Sequence, residues 1–228
     1  YLARFGYLDK DDGLGIEDIL DAIVNLHSTV GAVNPNGIIG AQTLNIMTLP
    51  RCGCRDVQKQ TEGIGQISKW GINDFSYYLD GYNDMTKEQW SATVRAAFDE
   101  GEKVCNVKFT EIFNPNNANF IFSLGQGRQD QFDGQSGVLA WNELPPSSNF
   151  KGQLLGKADK DESWIGVGMT GRGILFKNVF AHEVLGHGLG LDHTNVPNQL
   201  LNPFYNVAID KPQKGYDIEQ LVMRYGKP

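Results

Sequence analysis

Apolar residues recur at three- and four-residue spacing in several stretches of the chain, the pattern of helices that bury one face. This spacing predicts helices over 16–26, 41–47, 86–104, 174–191 and 217–225. Short runs rich in β-branched and aromatic residues predict five strands, over 75–79, 107–113, 118–124, 137–141 and 153–158. Because strands precede the last two helices, the order favours an α+β fold over alternating βαβ units.

A polar, glycine-containing stretch at 58–65 interrupts this pattern and predicts an exposed linker that proteases can reach. Before it, 49–56 is too rich in Pro, Gly and Cys to form a helix. We therefore predict a small helical domain over 1–58, a linker over 59–68 and a larger domain over 69–228.

Composition removes several classes of partner. The 228 residues include 20 Lys plus Arg and 27 Asp plus Glu, a net charge of −7 without a basic cluster. Nucleic acids and anionic membranes attract clustered positive charge, so neither is expected as a partner. No run approaches the roughly 18 apolar residues that a membrane helix needs. Since the chain begins at Tyr1, any targeting segment is expected to be missing already.

Three of the four histidines, His182, His187 and His193, fall within twelve residues, and Glu183 lies beside the first. Three imidazoles with an open fourth position hold a catalytic zinc, because the vacancy lets the metal bind and acidify water. Glu183 is placed to take the proton of that water and return it to a leaving amine. Gly190 allows a sharp left-handed turn that brings His193 back toward the metal.

The spacing of the first two histidines is unusual. In a regular α-helix the five positions from His182 to His187 turn the second imidazole about 140° from the first. A one-residue π-bulge absorbs the extra residue, with Gly186 as its flexible point. The alternative register makes Glu183, four residues before His187, a ligand in place of His182. That register removes the general base and leaves an inactive metal binder.

The run HxxGxxH from His187 to His193 resembles the metzincin zinc proteases, and its form HGLGLDH is close to that of the matrix metalloproteinases. The first half of the motif differs from that family, which has HExxH where this chain has HExxxH. The longer spacing is similar to that of another zinc peptidase family, dipeptidyl peptidase III. The segment PRCGCRD at 50–56 resembles the cysteine switch PRCGxxD of matrix metalloproteinase propeptides. The resemblance implies that Cys52 is the fourth zinc ligand of a latent zymogen, with Arg51 and Asp56 paired as a clamp. A tethered thiolate excludes water from zinc until the segment is cut away or oxidised.

The resemblance covers almost the whole chain. Residues 1–58 look like the helical propeptide, whose segments FGYL and NGIIGAQTLNIM are similar to peptidoglycan-binding-like folds, and 69–228 looks like the catalytic domain. It implies a twisted, mostly parallel five-stranded sheet with three helices. It also implies a substrate-binding set in which Asn178 lies near the depth of a pocket that is typically hydrophobic in the family. That set is Gly137, Val138, Leu139, Ala140, Asn178, Pro203 and Tyr205.

Other metal sites of the family are only partly matched. Its structural zinc uses three His and one Asp, whereas here Asp130 alone remains, so we expect no structural zinc. Calcium stays open, because Asp133, Asp161 and Glu162 lie near family calcium positions but read equally well as solvated loop carboxylates. Leu201 stands where the family has the Met of its Met-turn, a volume-conserving change.

The count of three cysteines is odd, so at least one thiol is unpaired. With Cys52 assigned to zinc by the resemblance, we predict a disulfide between Cys54 and Cys105, which would support secretion. A strained Cys52 to Cys54 pairing is the alternative and would disarm the switch. His27 is expected at the propeptide surface.

We therefore predict a secreted, extracellular and monomeric zinc endopeptidase of the matrix metalloproteinase type, latent until another protease removes the propeptide. Its substrates are expected to be proteins, those of the extracellular matrix among them. Two alternatives come from other classes. One is an inactive metal-binding pseudoprotease disabled by the extra residue, and the other is a cell-wall module whose N-terminal domain binds peptidoglycan.

Overall fold

A computed structural model of the chain describes residues 1–8, 14–31, 35–57 and 67–228. Before residue 58 it contains α1 (Ile16–Val30), α2 (Ala41–Met47) and the short strand β1 (Arg51–Cys52). The following elements are β2 (Asp74–Asp80), α3 (Lys87–Glu102), β3 (Lys108–Glu111), β4 (Phe120–Gly125), β5 (Val138–Asn142), β6 (Leu154–Asp159), β7 (Trp164–Ile165), β8 (Ile174–Leu175), α4 (Phe176–Phe180) and α5 (Asp217–Tyr225). None of the described helices is long and apolar enough to span a membrane.

The main sheet has the strand order β1-β5-β6-β4-β2-β3. Every neighbouring pair is parallel except β5 and β6. This arrangement confirms the predicted α+β fold with a mostly parallel five-stranded sheet. The sixth strand, β1, comes from the segment before the linker and lies along the edge that β5 would otherwise expose.

An aromatic core fixes the helices against one another and against the sheet. Phe98 of α3 stacks on Phe109 of β3 with ring centroids 3.9 Å apart. Phe180 of α4 meets Phe122 of β4 edge-on at 4.9 Å. Aromatic pairs in such geometries add to the stability that their burial supplies. Because Phe180 directly precedes the histidine segment, the core holds that segment in place.

The helix prediction over 174–191 is wrong at its start. Ile174 and Leu175 instead pair with β7 as the strand β8, so the helix begins at Phe176. It continues past α4 through a π-helical turn (Ala181–Gly186) and a 3₁₀ turn (His187–Leu189).

The expectation that His27 lies at the surface is also wrong. The ring of His27 is buried between α1 and α2, with Nε2 2.9 Å from Thr43 Oγ1. It follows Ile23 by four positions and therefore shares the inward face of α1. A polar ring thus joins the two helices of this small domain.

The predicted disulfide does not form, since Cys52, Cys54 and Cys105 are all free thiols. Cys54 Sγ donates to the Asn142 carbonyl on β5 at 3.3 Å, while Cys105 Sγ lies 3.6 Å from the Gly101 carbonyl at the end of α3. Because the two sulfurs are held at different elements, neither reaches the other. The alternative pairing of Cys52 with Cys54 is likewise not made.

A lysine occupies the region where the resemblance places a structural zinc. Lys157 of β6 forms an ion pair with Asp130. The Trp141 Nε1–H of β5 donates to the Asp130 carbonyl at 2.8 Å. An ammonium and an indole therefore tie the loop around Asp130 to two strands. The absence of a structural zinc stays a prediction.

We predict that Lys157→Ala lowers the melting temperature by up to about 2–4 °C, because a partly exposed ion pair contributes at most about 1 kcal/mol. Thermal unfolding of the full chain measures this, with Lys151→Ala as an exposed control that should change little. Zinc added to the Lys157→Ala variant should not restore its stability. Restoration by zinc would indicate a metal site at Asp130.

Candidate active site

The extra residue of the histidine motif is taken up by the π-helical turn at Ala181–Gly186. The His187 N–H reaches the carbonyl of His182, five residues back. In a π-helical turn, residues five positions apart lie on the same face of the helix, as residues four apart do in an α-helix. The imidazoles of His182 and His187 therefore face the same side. The predicted π-bulge is confirmed.

Two glycines allow this path of the backbone. Gly186 ends the π-turn with φ −90° and ψ −91°, and a Cβ there would lie 2.7 Å from Leu201 Cδ1. Gly190 has φ 89°, the left-handed conformation that its position in the motif predicts. A side chain on Gly190 would also collide with the Ser68 carbonyl. The chain then returns so that His193 faces the first two rings.

The three imidazoles converge on one point. His193 Nε2 lies 3.2 Å from His182 Nε2 and 3.1 Å from His187 Nε2. Cys52 Sγ lies 3.4 Å from His187 Nε2, and these four atoms are all within 4.8 Å of one another. Tetrahedral zinc with bonds of about 2.05 Å to nitrogen and 2.3 Å to sulfur spaces its ligand atoms by about 3.3–3.6 Å.

The other nitrogen of each ring is occupied. The Nδ1 atoms of His182 and His187 lie 2.6 and 2.8 Å from the carbonyls of Leu200 and Leu191. Carbonyls only accept hydrogen bonds, so each Nδ1 carries a proton, and in the neutral ring Nε2 then presents a lone pair to a metal ion. Lone pairs that face one another at about 3 Å repel unless a cation lies between them. The three Nε2 atoms are therefore suited to binding a metal ion.

Asp217 supports the first ligand from beneath, a role that the sequence alone did not suggest. Its buried carboxylate accepts hydrogen bonds from the N–H groups of Leu200 and Leu201 at 2.6 and 3.3 Å. Leu200 is the residue whose carbonyl holds His182. The start of α5 thereby fixes a loop that in turn fixes a candidate ligand.

Glu183 is fully buried next to this set. Neither carboxylate oxygen has a hydrogen-bond partner among the described residues. Burial raises the pKa of Glu183 to about 8. A carboxyl group that lacks a protein partner and has an elevated pKa is suited to exchanging a proton with a bound ligand.

The segment before the linker runs through the cleft beside the histidines. On one side its backbone N–H groups donate to the carbonyls of Gly137 and Ala140, at 3.0 and 2.7 Å. On the other side it donates to the Pro203 carbonyl and accepts from the Tyr205 N–H, both at 2.9 Å. Four of the predicted substrate-binding residues therefore contact residues 50–53.

The predicted clamp between Arg51 and Asp56 is buried. An Arg51 guanidinium nitrogen lies 2.5 Å from Asp56 Oδ1, and its carbon lies 3.5 Å from the centroid of the Phe5 ring. Asp56 Oδ1 also lies 2.8 Å from His193 Nδ1, a contact that sequence reasoning missed. Burial alone would raise the pKa of Asp56, but its bonds to His193 and Arg51 lower it to about 2.

The remaining predicted substrate residues lie on both sides of this segment. Val138 packs in the small apolar cluster that includes Phe5 and Tyr7. Leu139 and Asn178 line a cavity that opens beside His182. The structure thus brings the predicted substrate-binding set around one cleft.

The predicted calcium residues Asp133, Asp161 and Glu162 lie around a further carboxylate, that of Asp159. Asp133 and Glu162 lie near the buried Asp159, whose Oδ2 has no partner among the described residues. Asp161 also lies near Asp159, to which its backbone N–H donates at 2.9 Å, while its own Oδ1 accepts from Gln126 Nε2 at 2.7 Å. Burial raises the pKa of both Asp159 and Glu162. The most buried carboxylate of this cluster is therefore Asp159, which the sequence analysis did not identify.

Several known proteins are similar to this chain. Karilysin of Tannerella forsythia is 33% identical over 146 residues, which cover 61% of this chain and 30% of that protein. Metalloendoproteinase 2-MMP of Arabidopsis thaliana is 28% identical over 99% of this chain and 69% of its own length. Matrix metalloproteinase-18 of Xenopus laevis is 28% identical over 100% of this chain and 49% of its own.

The chain spans less than two thirds of most of these relatives, from 30% of karilysin to 49% of the Xenopus enzyme. The family model described as Peptidase_M10, Matrixin, matches residues 69–223, which include the π-turn, the three histidines and the cleft. By this match over more than half of its length, the chain belongs to the matrixin family of zinc metalloendopeptidases.

Proposed function

We propose that this chain is the latent form of a zinc endopeptidase in which His182, His187 and His193 hold the metal and Cys52 blocks it. One observation carries the proposal: three Nε2 atoms and one thiol sulfur lie within 4.8 Å of one another, with every Nδ1 already bonded. Two overlapping sets of side chains are close enough to hold a metal, Cys52 with the three histidines and a second set of Cys52, Cys54, Glu183 and His187. The first set supports the register with His182 as a ligand, because it alone unites the three imidazoles, whose Nδ1 atoms are all bonded elsewhere.

When bound, zinc supplies a Lewis acid that polarises the peptide carbonyl and acidifies water. Glu183 accepts the proton of that water and delivers it to the departing amine. The edge strand β5 and Gly137 directly before it offer the backbone carbonyls of Ala140 and Gly137 to an extended peptide, as they now do to residues 51–53. The substrate is therefore held by main-chain hydrogen bonds, and its side chains meet the cavity beside His182.

Latency follows from occupation of the same cleft. Residues 50–53 take the main-chain hydrogen bonds that a substrate would use, and Cys52 stands in the fourth metal position. We propose that a second protease cuts within 59–68 and frees the cleft. Residues 59–66 of that linker lie outside the described part of the chain. Secretion, protein substrates of the extracellular matrix and a monomeric state belong to the same proposal.

We also propose a calcium ion bound by Asp133, Asp159 and Glu162. The unpartnered, buried Oδ2 of Asp159 supports it, because a buried carboxylate oxygen without a donor is costly unless a cation compensates. Such an ion would tie the loop before β5 to the end of β6.

Glu183→Ala should retain zinc and reduce kcat/KM by at least about 10²-fold, because the general base is lost while the ligands stay. Zinc content and peptide turnover are measured on the full chain after cleavage in the linker. His187→Ala is the control and should lose the metal. Loss of zinc from Glu183→Ala would instead support the register in which this carboxylate is a ligand.

Cys52→Ser should release part of the activity from the uncut chain, because a serine hydroxyl is a much weaker zinc ligand than a thiolate and the segment 50–53, then held by its backbone hydrogen bonds alone, leaves the cleft more often. Turnover of a fluorogenic peptide by the zinc-loaded, uncut protein measures the effect. Cys54→Ser is the matched control and should stay latent, since its sulfur bonds to Asn142 rather than joining the three histidines. Equal activation by both variants would contradict the assignment of Cys52.

Calcium at about 100 times its dissociation constant should raise the melting temperature by about 5–10 °C. Asp159→Asn should remove this rise, whereas Asp161→Asn should keep it because that side chain is bonded to Gln126. Thermal unfolding with and without chelator gives the comparison. A rise that survives in Asp159→Asn would contradict the proposed site.

A further inference from the structure

The third histidine of the candidate zinc site is held differently from the other two. The Nδ1 atoms of His182 and His187 lie 2.6 and 2.8 Å from backbone carbonyls of the 69–228 part of the chain. The Nδ1 atom of His193 lies 2.8 Å from Oδ1 of Asp56, a carboxylate that precedes the linker. One of the three rings therefore takes its support from the segment that cleavage would release.

Three hydrogen-bond donors hold the Asp56 carboxylate. Oδ1 accepts from the Arg51 guanidinium at 2.5 Å and from His193, and Oδ2 accepts from the Tyr7 hydroxyl at 2.5 Å. The side chains of His193 and Asp56 are only 1% and 0% exposed, so water does not compete for the bond between them. Because a carboxylate only accepts, His193 Nδ1 carries the proton and its Nε2 is directed toward the other two rings.

An anionic acceptor has a stronger effect on a metal-bound imidazole than a neutral one. A carboxylate draws the Nδ1 proton more strongly than a carbonyl does, which makes Nε2 a more basic ligand. Loss of such a partner typically lowers metal affinity by about 10- to 100-fold. The contact between Asp56 and His193 can therefore strengthen a metal site, which the ion pair between Asp56 and Arg51 does not do by itself.

We propose that Asp56 is a positioning residue that acts through His193 and makes the uncut chain hold zinc more tightly, in addition to the bond from Cys52. This inference rests on the proposed latent endopeptidase and specifies how its N-terminal segment acts on the metal. When that segment leaves, His193 Nδ1 faces water, whereas the other two rings keep their carbonyls. Because coupling between two binding events is reciprocal, zinc in turn strengthens docking of the segment through Asp56.

The first test measures the zinc affinity of the full, uncut chain by competition with a chelator. Asp56→Asn keeps the size of the side chain and removes its charge, and it should raise the dissociation constant about 10- to 100-fold. Tyr7→Phe is the matched control, because it removes the bond to Oδ2 and leaves Oδ1 on His193. It should change the zinc affinity little. An equal loss of affinity in both variants would overturn the inference, since loosening of the segment would then explain it.

The second test separates positioning of His193 from docking of the segment. In the zinc-loaded, uncut chain the Nδ1 protons of the three ligands are followed by NMR, and Asp56→Asn should shift that of His193 alone. Cobalt in place of zinc reports through its sulfur-to-metal absorption band that Cys52 remains bound. If the band is retained and the His193 resonance does not move, the role of Asp56 is overturned.

The outcomes distinguish this inference from the function on which it rests. If the unaltered chain and Asp56→Asn bind zinc equally well, the latent endopeptidase stands and only the role of Asp56 is overturned. If the unaltered chain binds no zinc, the proposed function fails and the inference fails with it. Should Asp56→Asn not fold, the unaltered chain decides after the linker is cut and the segment removed. The His193 Nδ1 proton should then exchange with water while the other two persist, and its persistence would overturn the inference.

Discussion

Mutual repulsion among three imidazole lone pairs is the constraint on which the structure around the cleft depends. Each ring is turned inward by a hydrogen bond on its far side, and the acceptors come from distant parts of the chain. The Leu200 carbonyl is held by Asp217, and the Leu189 carbonyl near the helix end accepts from the Tyr225 hydroxyl at 2.8 Å. The terminal helix α5 therefore contributes to the site without supplying a ligand.

Sequence reasoning worked where the determinants are local. Periodicity located the main helices and strands, and the five-residue spacing of His182 and His187 was enough to predict the π-turn. A one-residue insertion leaves few solutions if both rings must face one ion, and Gly186 supplies the needed backbone freedom. The left-handed Gly190 was predictable for the same reason.

The errors and omissions concern contacts between distant residues. Strand β1 is two residues long and exists because β5 lies beside it. The hydrogen bond from His193 to Asp56 joins positions 137 apart, and no local pattern indicates it. The disulfide was inferred by pairing leftover cysteines, but Cys54 and Cys105 are positioned by different elements. The surface prediction for His27 is wrong because it rests on the polarity of the side chain. The position of His27 on the inward face of α1 decides its burial.

The buried pair of Arg51 and Asp56 bears on how the proposed latent form would be activated. Both side chains have lost almost all contact with water, with exposures of 2% and 0%. Removing such ions from water costs several kcal/mol each, which their mutual ion pair and the contacts with Tyr1 and His193 offset in this structure. While the linker is intact, tethering keeps the segment at a high effective concentration and favours docking. In the proposed latent form, cutting the linker would remove the tether, and dilution together with renewed hydration of both charges would then weaken rebinding of the freed segment.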